Sequence, residues 1–313
     1  MSSKSLVRPN DFVPASGPAP VLSRMDELVG NTPLVRLTRL GDATKAPIYI
    51  KMENLNPSGS MRDRYVAEIL ERAVLAGNIV AGDSVALAGL DDSAVAAALF
   101  GSVLAIKVRV FAPADSSKRL LPIVERYGGE LVWTPAEAGI EGAIEEAAQW
   151  TRQGYDRTYV DGYRRQAVRD AYSAIASEIL QALEGRVLGA FITSVTTGGT
   201  FRHVARELRQ TYPSLQVGGA VLIDVDYPDL VEHQFNLLRR ITFAQTWEMR
   251  DELARTEGLM LGPKGAACVK VALDLQQELS SDEIIVALNP DSGQRYLGWE
   301  NKPLFATSYV PQQ

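Results

Sequence analysis

Asn56-Pro57-Ser58-Gly59-Ser60-Met61-Arg62-Asp63-Arg64 is the stretch on which the reading of the fold turns. Residues 48–52 before it form an apolar run that reads as a strand. Residues 62–76 after it read as a helix, with Val66, Ile69, Leu70, Ala73 and Val74 on one face and Gly77 as the stop. Strand followed by helix then recurs along the chain. Further strands are predicted at 84–87, 105–111, 131–134, 190–195, 218–223 and 284–288. The intervening helices are predicted at 93–100, 117–127, 142–153, 165–183, 201–211, 247–257 and 265–279. Apolar runs alternating with segments of helical period are the pattern of βα units feeding parallel sheets, so the expected class is α/β. No internal repeat or coiled coil interrupts it.

At 313 residues the chain is long enough for about two domains with real cores. Its single cysteine, Cys268, rules out an internal disulfide, fits a reducing, cytoplasmic setting and reads as a buried packing residue. The net charge of −6 leaves no basic footprint for nucleic acid or an anionic membrane. Residues 1–20, rich in Ser and Pro, lack the apolar core of a secretory signal and read as a flexible arm. The longest apolar run, 94–106, falls short of the roughly 20 residues a bilayer span needs. It contains Gly101 and Ser102, where a helix is expected to give way to a strand.

Four stretches in order resemble the cysteine synthase and cystathionine β-synthase family. The first is Glu27-Leu28-Val29-Gly30-Asn31-Thr32-Pro33-Leu34-Val35-Arg36-Leu37, the second is the opening nonapeptide, and the third is Thr196-Thr197-Gly198-Gly199-Thr200. The fourth is Asn289-Pro290-Asp291-Ser292-Gly293-Gln294-Arg295-Tyr296-Leu297. The resemblance covers nearly the whole chain after the arm. It implies two doubly wound parallel-sheet domains with a cleft between them, fold type II of the pyridoxal-phosphate enzymes. The smaller domain is expected over 47–147 and the larger over 21–46 with 148–313. A homodimer is also implied.

The same resemblance exposes a substitution. The family carries a lysine where this chain has Arg62, and that lysine forms a Schiff base with pyridoxal phosphate during β-replacement on an amino acid. A guanidinium stays protonated across the physiological range and cannot supply the neutral amine. The 196–200 loop resembles the family's phosphate loop: it should join a buried strand to a helix N-terminus, whose free N–H groups favour an anion. Thr196 stands where the family has a glycine, and an ordinary βα turn is the competing reading. Gly89, Asp91 and Asp92 fall in the loop that holds the substrate carboxylate in the family. Asp91 or Asp92 is expected to cap the next helix with its own carboxylate, filling those donors. Near the C-terminus, Asp291 or Ser292 stands where the family contacts the pyridine nitrogen, in a segment that also reads as a turn.

Other departures accompany these. Gly162-Tyr163 replaces a segment that touches substrate in the family. Gly262-Pro263-Lys264-Gly265 is one residue shorter than the family's loop and lacks its serines. Lys264 is expected as an exposed loop lysine, with a substitute Schiff-base lysine or a phosphate partner as the alternatives; Lys51 is expected to be structural. Neither His203 nor His233 has metal-ligand spacing, and no Cys/His cluster, Gly-x-Ser-x-Gly elbow or P-loop is present. Arg164-Arg165 and Arg239-Arg240 read as solvated pairs.

The leading expectation is a cysteine synthase-like pseudoenzyme that has lost β-replacement, holds no cofactor covalently and serves a binding, regulatory or scaffolding role. A protein partner or peptide tail in the cleft is one expected guest, because active relatives accept the C-terminal tail of a serine acetyltransferase there; a small anionic or phosphate ligand is another. The alternative is an atypical lyase or transferase using pyridoxal phosphate through Lys264, or chemistry without that cofactor.

Overall fold

β10 (Glu283–Asn289) organises the larger of two sheets, because nearly all of it is buried and it has a neighbour on each side. In the computed structural model, described over residues 21–161, 166–195, 198–222 and 235–299, β10 lies between β2 (Ile48–Met52) and β7 (Val187–Ser194), parallel to both. β8 (Gln216–Leu222) and β9 (Leu237–Ile241) continue the sheet beyond β7, and β1 (Leu34–Arg36) closes the opposite edge antiparallel to β2. The order is β1-β2-β10-β7-β8-β9.

Alternation along β10 shows why its run is continuously apolar. Ile284, Val286 and Leu288 enter one core together with α1 (Arg62–Leu75) and α5 (Gln166–Leu183). Ile285 and Ala287 enter a second core with α8 (Pro263–Leu275), which packs beside α7 (Phe243–Glu257). A parallel strand covered by helices on both faces has no solvent side to mark with polar residues.

The second sheet is parallel throughout, in the order β5-β4-β3-β6: β3 is Ser84–Ala88, β4 Lys107–Pro113, β5 Glu130–Thr134 and β6 Arg157–Tyr159. Its helices are α2 (Asp92–Leu104), α3 (Leu121–Arg126) and α4 (Gly139–Arg152). The short α6 (Arg206–Thr211) follows β7 in the larger sheet's part of the chain. Sheet membership changes after β2 and again after β6, whereas the sequence placed the changes at 47 and 148. β2 follows the larger sheet through β10 and β6 follows the smaller through β3.

Other expectations shift for identifiable reasons. α2 runs through Gly101 and Ser102 to Leu104. Gly101 is not a stop there: a Cβ on it would meet Val108 Cγ2 at 2.3 Å, so the glycine permits close packing of α2 on β4. The reversal falls at Ala105, in the left-handed region at φ 55°. α7 begins four residues earlier than expected, because Thr242 and Gln245 form a capping box. Strands β1, β6 and β9 were not foreseen; each lies at a sheet edge. Among the described residues no helix is long and apolar enough to cross a membrane.

Candidate functional site

Three chain segments meet where β10 ends. Met61 N–H donates to the Pro290 carbonyl at 2.9 Å and Ser292 N–H to that of Gly59 at 3.2 Å, which fixes the start of α1 against the turn after β10. Gly262 N–H donates to the Asp291 carbonyl at 3.1 Å and Gly293 N–H to that of Met260 at 3.0 Å, which fixes the start of α8 on the other side. Gly262 is required for this approach: a Cβ there would lie 1.7 Å from Asp291 Oδ1. The start of α2 joins as the fourth element through an ion pair between Asp92 and Arg295.

Arg62, Lys264, Asp291, Asp91 and Asp92 are therefore brought into one electrostatic neighbourhood by segments far apart in sequence. Lys264 is not an exposed loop lysine. It occupies the first turn of α8, is partly buried and interacts with Asp291, Arg62, Asp92 and Asp91. Burial pushes its ammonium below the ordinary lysine value and Arg62 adds to that, while the three carboxylates pull the other way.

Asp291 is 2% exposed. Its Oδ2 accepts from the Tyr296 hydroxyl at 2.7 Å, whereas Oδ1 is buried without a hydrogen-bond partner among the described residues. Burial raises its pKa, and the nearby Asp92 raises it further. Ser292 instead caps the short 3-10 turn Gly293–Tyr296 by accepting from Gln294 N–H at 3.3 Å. Of these two, Asp291 is thus the residue with an unmet acceptor. For Asp92, burial works to raise the pKa, but Arg295, Arg119, Lys264 and Arg62 outweigh it and hold the carboxylate below its usual value.

Asp91 caps α2, its Oδ1 accepting from Ser93 N–H at 2.8 Å. Gly89, at φ 95°, makes the turn before it and donates its N–H to the Phe111 carbonyl at 2.8 Å. Arg62 Nη1 donates to the Tyr172 hydroxyl at 3.2 Å, and its guanidinium lies 5.8 Å from the Tyr65 ring centroid. The Tyr65 hydroxyl in turn meets Ser93 Oγ at a short hydrogen bond.

The loop after β7 carries Gly198, Gly199 and Thr200; Thr196 and Thr197 lie outside the described residues, as do Gly162, Tyr163, Arg164, Arg165 and His233. Gly198 has φ 73°, and among the described residues a Cβ on it would meet Arg202 Nε alone within 4 Å, at 3.8 Å. A π-helical turn, Phe201–Ala205, follows before α6. Such turns are rare and, where they occur, are frequently at functional sites.

Lys51 belongs to a different cluster. Its Nζ donates to the Thr32 carbonyl and to Glu178 Oε2, both at 2.5 Å. Arg64 donates to both Glu53 oxygens at 2.6 and 2.8 Å and to both Glu178 oxygens at 2.7 and 2.8 Å. Two cations and two anions close this buried network, binding the loop before β1 to β2, α1 and α5.

Cys268 is fully buried, with its thiol pushed well up by burial and further by the nearby Asp291. No group of His, Cys, Asp and Glu able to hold a metal exists among the described residues. Tyr172 and Tyr65 were not singled out in the sequence, whereas Ser93 lay in the stretch with Gly89, Asp91 and Asp92, and Arg295 and Tyr296 lay inside the motif before the C-terminus.

The model of the family described as pyridoxal-phosphate dependent enzyme matches residues 25–232. A probable cysteine synthase of Bacillus subtilis is 28% identical over 300 residues, covering 88% of this chain and 96% of that protein. A cysteine synthase B of Pseudomonas aeruginosa is 30% identical over 287 residues, covering 87% of this chain and 94% of its own. The crystal structure of an O-ureido-L-serine synthase superposes with a TM-score of 0.82 at 24% identity, over 89% of this chain and 94% of that one, a likeness of fold.

These matches correct the expectation that no cofactor is held covalently, since they point to pyridoxal phosphate. That expectation rested on Arg62 and on placing Lys264 in solvent. The residues present fit the group: a glycine turn at a helix start for its phosphate, an unmet buried acceptor at Asp291 and an amine of lowered pKa at Lys264.

Proposed function

The chain belongs to the family of pyridoxal-phosphate dependent enzymes, and we propose that it is a cysteine synthase-like lyase or transferase in which Lys264 replaces the lysine displaced by Arg62. Its substrate on this reading is an amino acid with a leaving group on the β-carbon. The observation that carries the proposal is the partly buried position of Lys264 among Arg62, Asp91, Asp92 and Asp291. An amine must shed its proton to act as a nucleophile, and burial beside a fixed cation favours that state.

When bound, the cofactor supplies a carbonyl carbon that an amine can hold and an electron-poor ring that spreads charge developing at the substrate. The amides of Gly198, Gly199 and Thr200 would hold its phosphate. Asp291 would hold the proton of the ring nitrogen through Oδ1, with Tyr296 steadying Oδ2. Lys264 Nζ would hold the cofactor and move protons at the reacting carbon. Arg62 would fix an anionic group of the substrate, for which its planar fork is suited.

Borohydride reduction of the protein incubated with pyridoxal phosphate, followed by peptide mass mapping, tests the reading. The label is expected on Lys264 and absent in Lys264→Ala. A label confined to any other lysine, or none in the parent protein, refutes it.

A second reading is favoured by Asp91, whose carboxylate already occupies the first turn of α2 where the family holds a substrate carboxylate. Here the chain keeps its cofactor without turnover and acts as a binding or scaffolding protein, with a peptide tail as guest of the cleft. Labelled protein that leaves β-substituted amino acids unchanged supports this second reading. A homodimer is proposed with either, and sedimentation velocity checks it.

A further inference from the structure

Beyond the phosphate turn, the helical segment that it opens carries Arg202, Arg206 and Arg209 at i, i+4 and i+7, which places the three on one face. With Arg169 of α5 they line an open cavity of about 670 Å³. We infer that this cavity is a binding site for a small polyanion bearing several phosphate groups, separate from the cofactor site.

The charge balance argues for it. Four guanidiniums line one cavity, no carboxylate lines it among the described residues, and the chain as a whole is acidic. Two neighbouring acids among the described residues have other partners as well: Asp170 accepts from Arg72 at 2.7 Å and Glu207 from Gln210 at 3.0 Å. Of the four arginines, Arg209 has a polar anchor, donating to Asn236 Oδ1 at 3.2 Å. Clustered like charge destabilises the free protein and favours any guest that neutralises it.

His203 reports the same convergence. It lines the cavity partly buried, and burial, then Arg169, Arg202 and Arg206, hold its imidazole below the ordinary histidine pKa, with Asp170 opposing them. It therefore adds little positive charge of its own near neutral pH, and the guanidiniums must supply the attraction. Planar guanidinium forks match phosphate oxygens two at a time.

Size and lining narrow the guest. A single phosphate would leave most of the cavity unfilled, whereas a chain of phosphates can reach several arginines. Phe201 and Phe235, their ring centroids 4.3 Å apart at 38°, form an apolar wall on which a flat ring can rest. The phosphate chain is the shared chemistry of two sources, inorganic triphosphate and a nucleoside triphosphate.

Isothermal titration calorimetry decides the matter, on the full chain saturated with pyridoxal phosphate so that the phosphate turn is already filled. Inorganic triphosphate and ATP are titrated separately, with sulfate as control. At least one is expected to bind with a dissociation constant of about 100 µM or tighter, well ahead of sulfate. Equal binding of both assigns the phosphate chain alone, and tighter ATP assigns a nucleotide. Arg202→Ala with Arg206→Ala should weaken binding by about tenfold or more. Both side chains are exposed, so folding should survive, with the thermal melt as the check. Arg169→Ala, on a different helix, should weaken it independently. No heat with either ligand at millimolar concentration, or undiminished binding in these variants, overturns the inference.

Discussion

Arg62 Nη1 donates to the hydroxyl of Tyr172 at 3.2 Å, tying the first turn of α1 to α5. Burial lowers the pKa of Lys264 most, and this fixed cation lowers it further and acts on Asp92 as well.

Arg62→Met removes that positive neighbour, so the Lys264 ammonium becomes easier to form and its pKa rises. The pH midpoint for reductive labelling of Lys264 should move upward, with less label at neutral pH. An unmoved midpoint would show that the two side chains do not interact. Arg62→Lys alone should restore no ordinary β-replacement, measured as product from a β-substituted amino acid and sulfide, because Asp91 still caps α2.

Arg64→Met should lower stability by about 3–5 kcal/mol in urea unfolding, since it leaves Glu53 and Glu178 short of a cation in a buried network. Lys51 remains within 3.9 Å of Glu53 and holds Glu178 at 2.5 Å, so the loss should stay partial. A change of less than about 1 kcal/mol, as surface pairs give, would contradict the buried placement.

Acidity should act on two carboxyls in opposite directions. Burial alone would raise Glu178, but hydrogen bonds from Arg64 and Lys51 outweigh it and hold the pKa at about 2, against an ordinary 4.5. Its contribution is present above 4.5 and lost as pH falls toward 2. Burial pushes Asp63 up to about 7 from 3.8, despite hydrogen bonds from Ser58 that pull it down. The stability associated with Asp63 is full below 3.8 and lost as pH rises through 7. Urea midpoints measured across this range should show Glu178→Gln flattening the acid limb and Asp63→Asn flattening the decline toward neutrality. Parallel profiles for parent and variants would refute both assignments.

Gly101→Ala separates local propensity from packing. In an exposed helix the change gains about 1 kcal/mol. In α2 the added Cβ would meet Val108 Cγ2 at 2.3 Å and the Ile106 carbonyl at 2.9 Å. Thermal denaturation should therefore show a loss of about 1–3 kcal/mol.

The sequence was most legible where burial is two-sided. β2, β3, β7, β8 and β10 read as apolar runs because helices cover both faces of their sheets. β1, β6 and β9 escaped notice because they lie at sheet edges, where a few residues satisfy one neighbour and burial leaves little pattern. Gly101 misled the reading for a different reason: glycine marks both a chain reversal and a close approach, and only the facing Val108 tells the two apart.

The site divided in the same manner. A carboxylate cap on α2 depends on local spacing, and the sequence carried it as Asp91 or Asp92, with the fold deciding for Asp91; Lys51 as a structural cation came from the resemblance. The choice of Asp291 over Ser292 required knowing which side chain was left with an unmet acceptor.

Taken alone, the order of residues determined the α/β class, the βα succession, the family resemblance and the substitution at Arg62. Those follow from periodicity and motif, which are properties of neighbours along the chain. Only the tertiary structure decided that Lys264 stands with Arg62, Asp92 and Asp291, and that four arginines converge on one cavity. Desolvation and Coulomb interaction depend on distance through space, and in this chain those distances are set by backbone contacts that join Gly59 and Met61, Met260 and Gly262, and Pro290 to Gly293, and by the ion pair between Asp92 and Arg295.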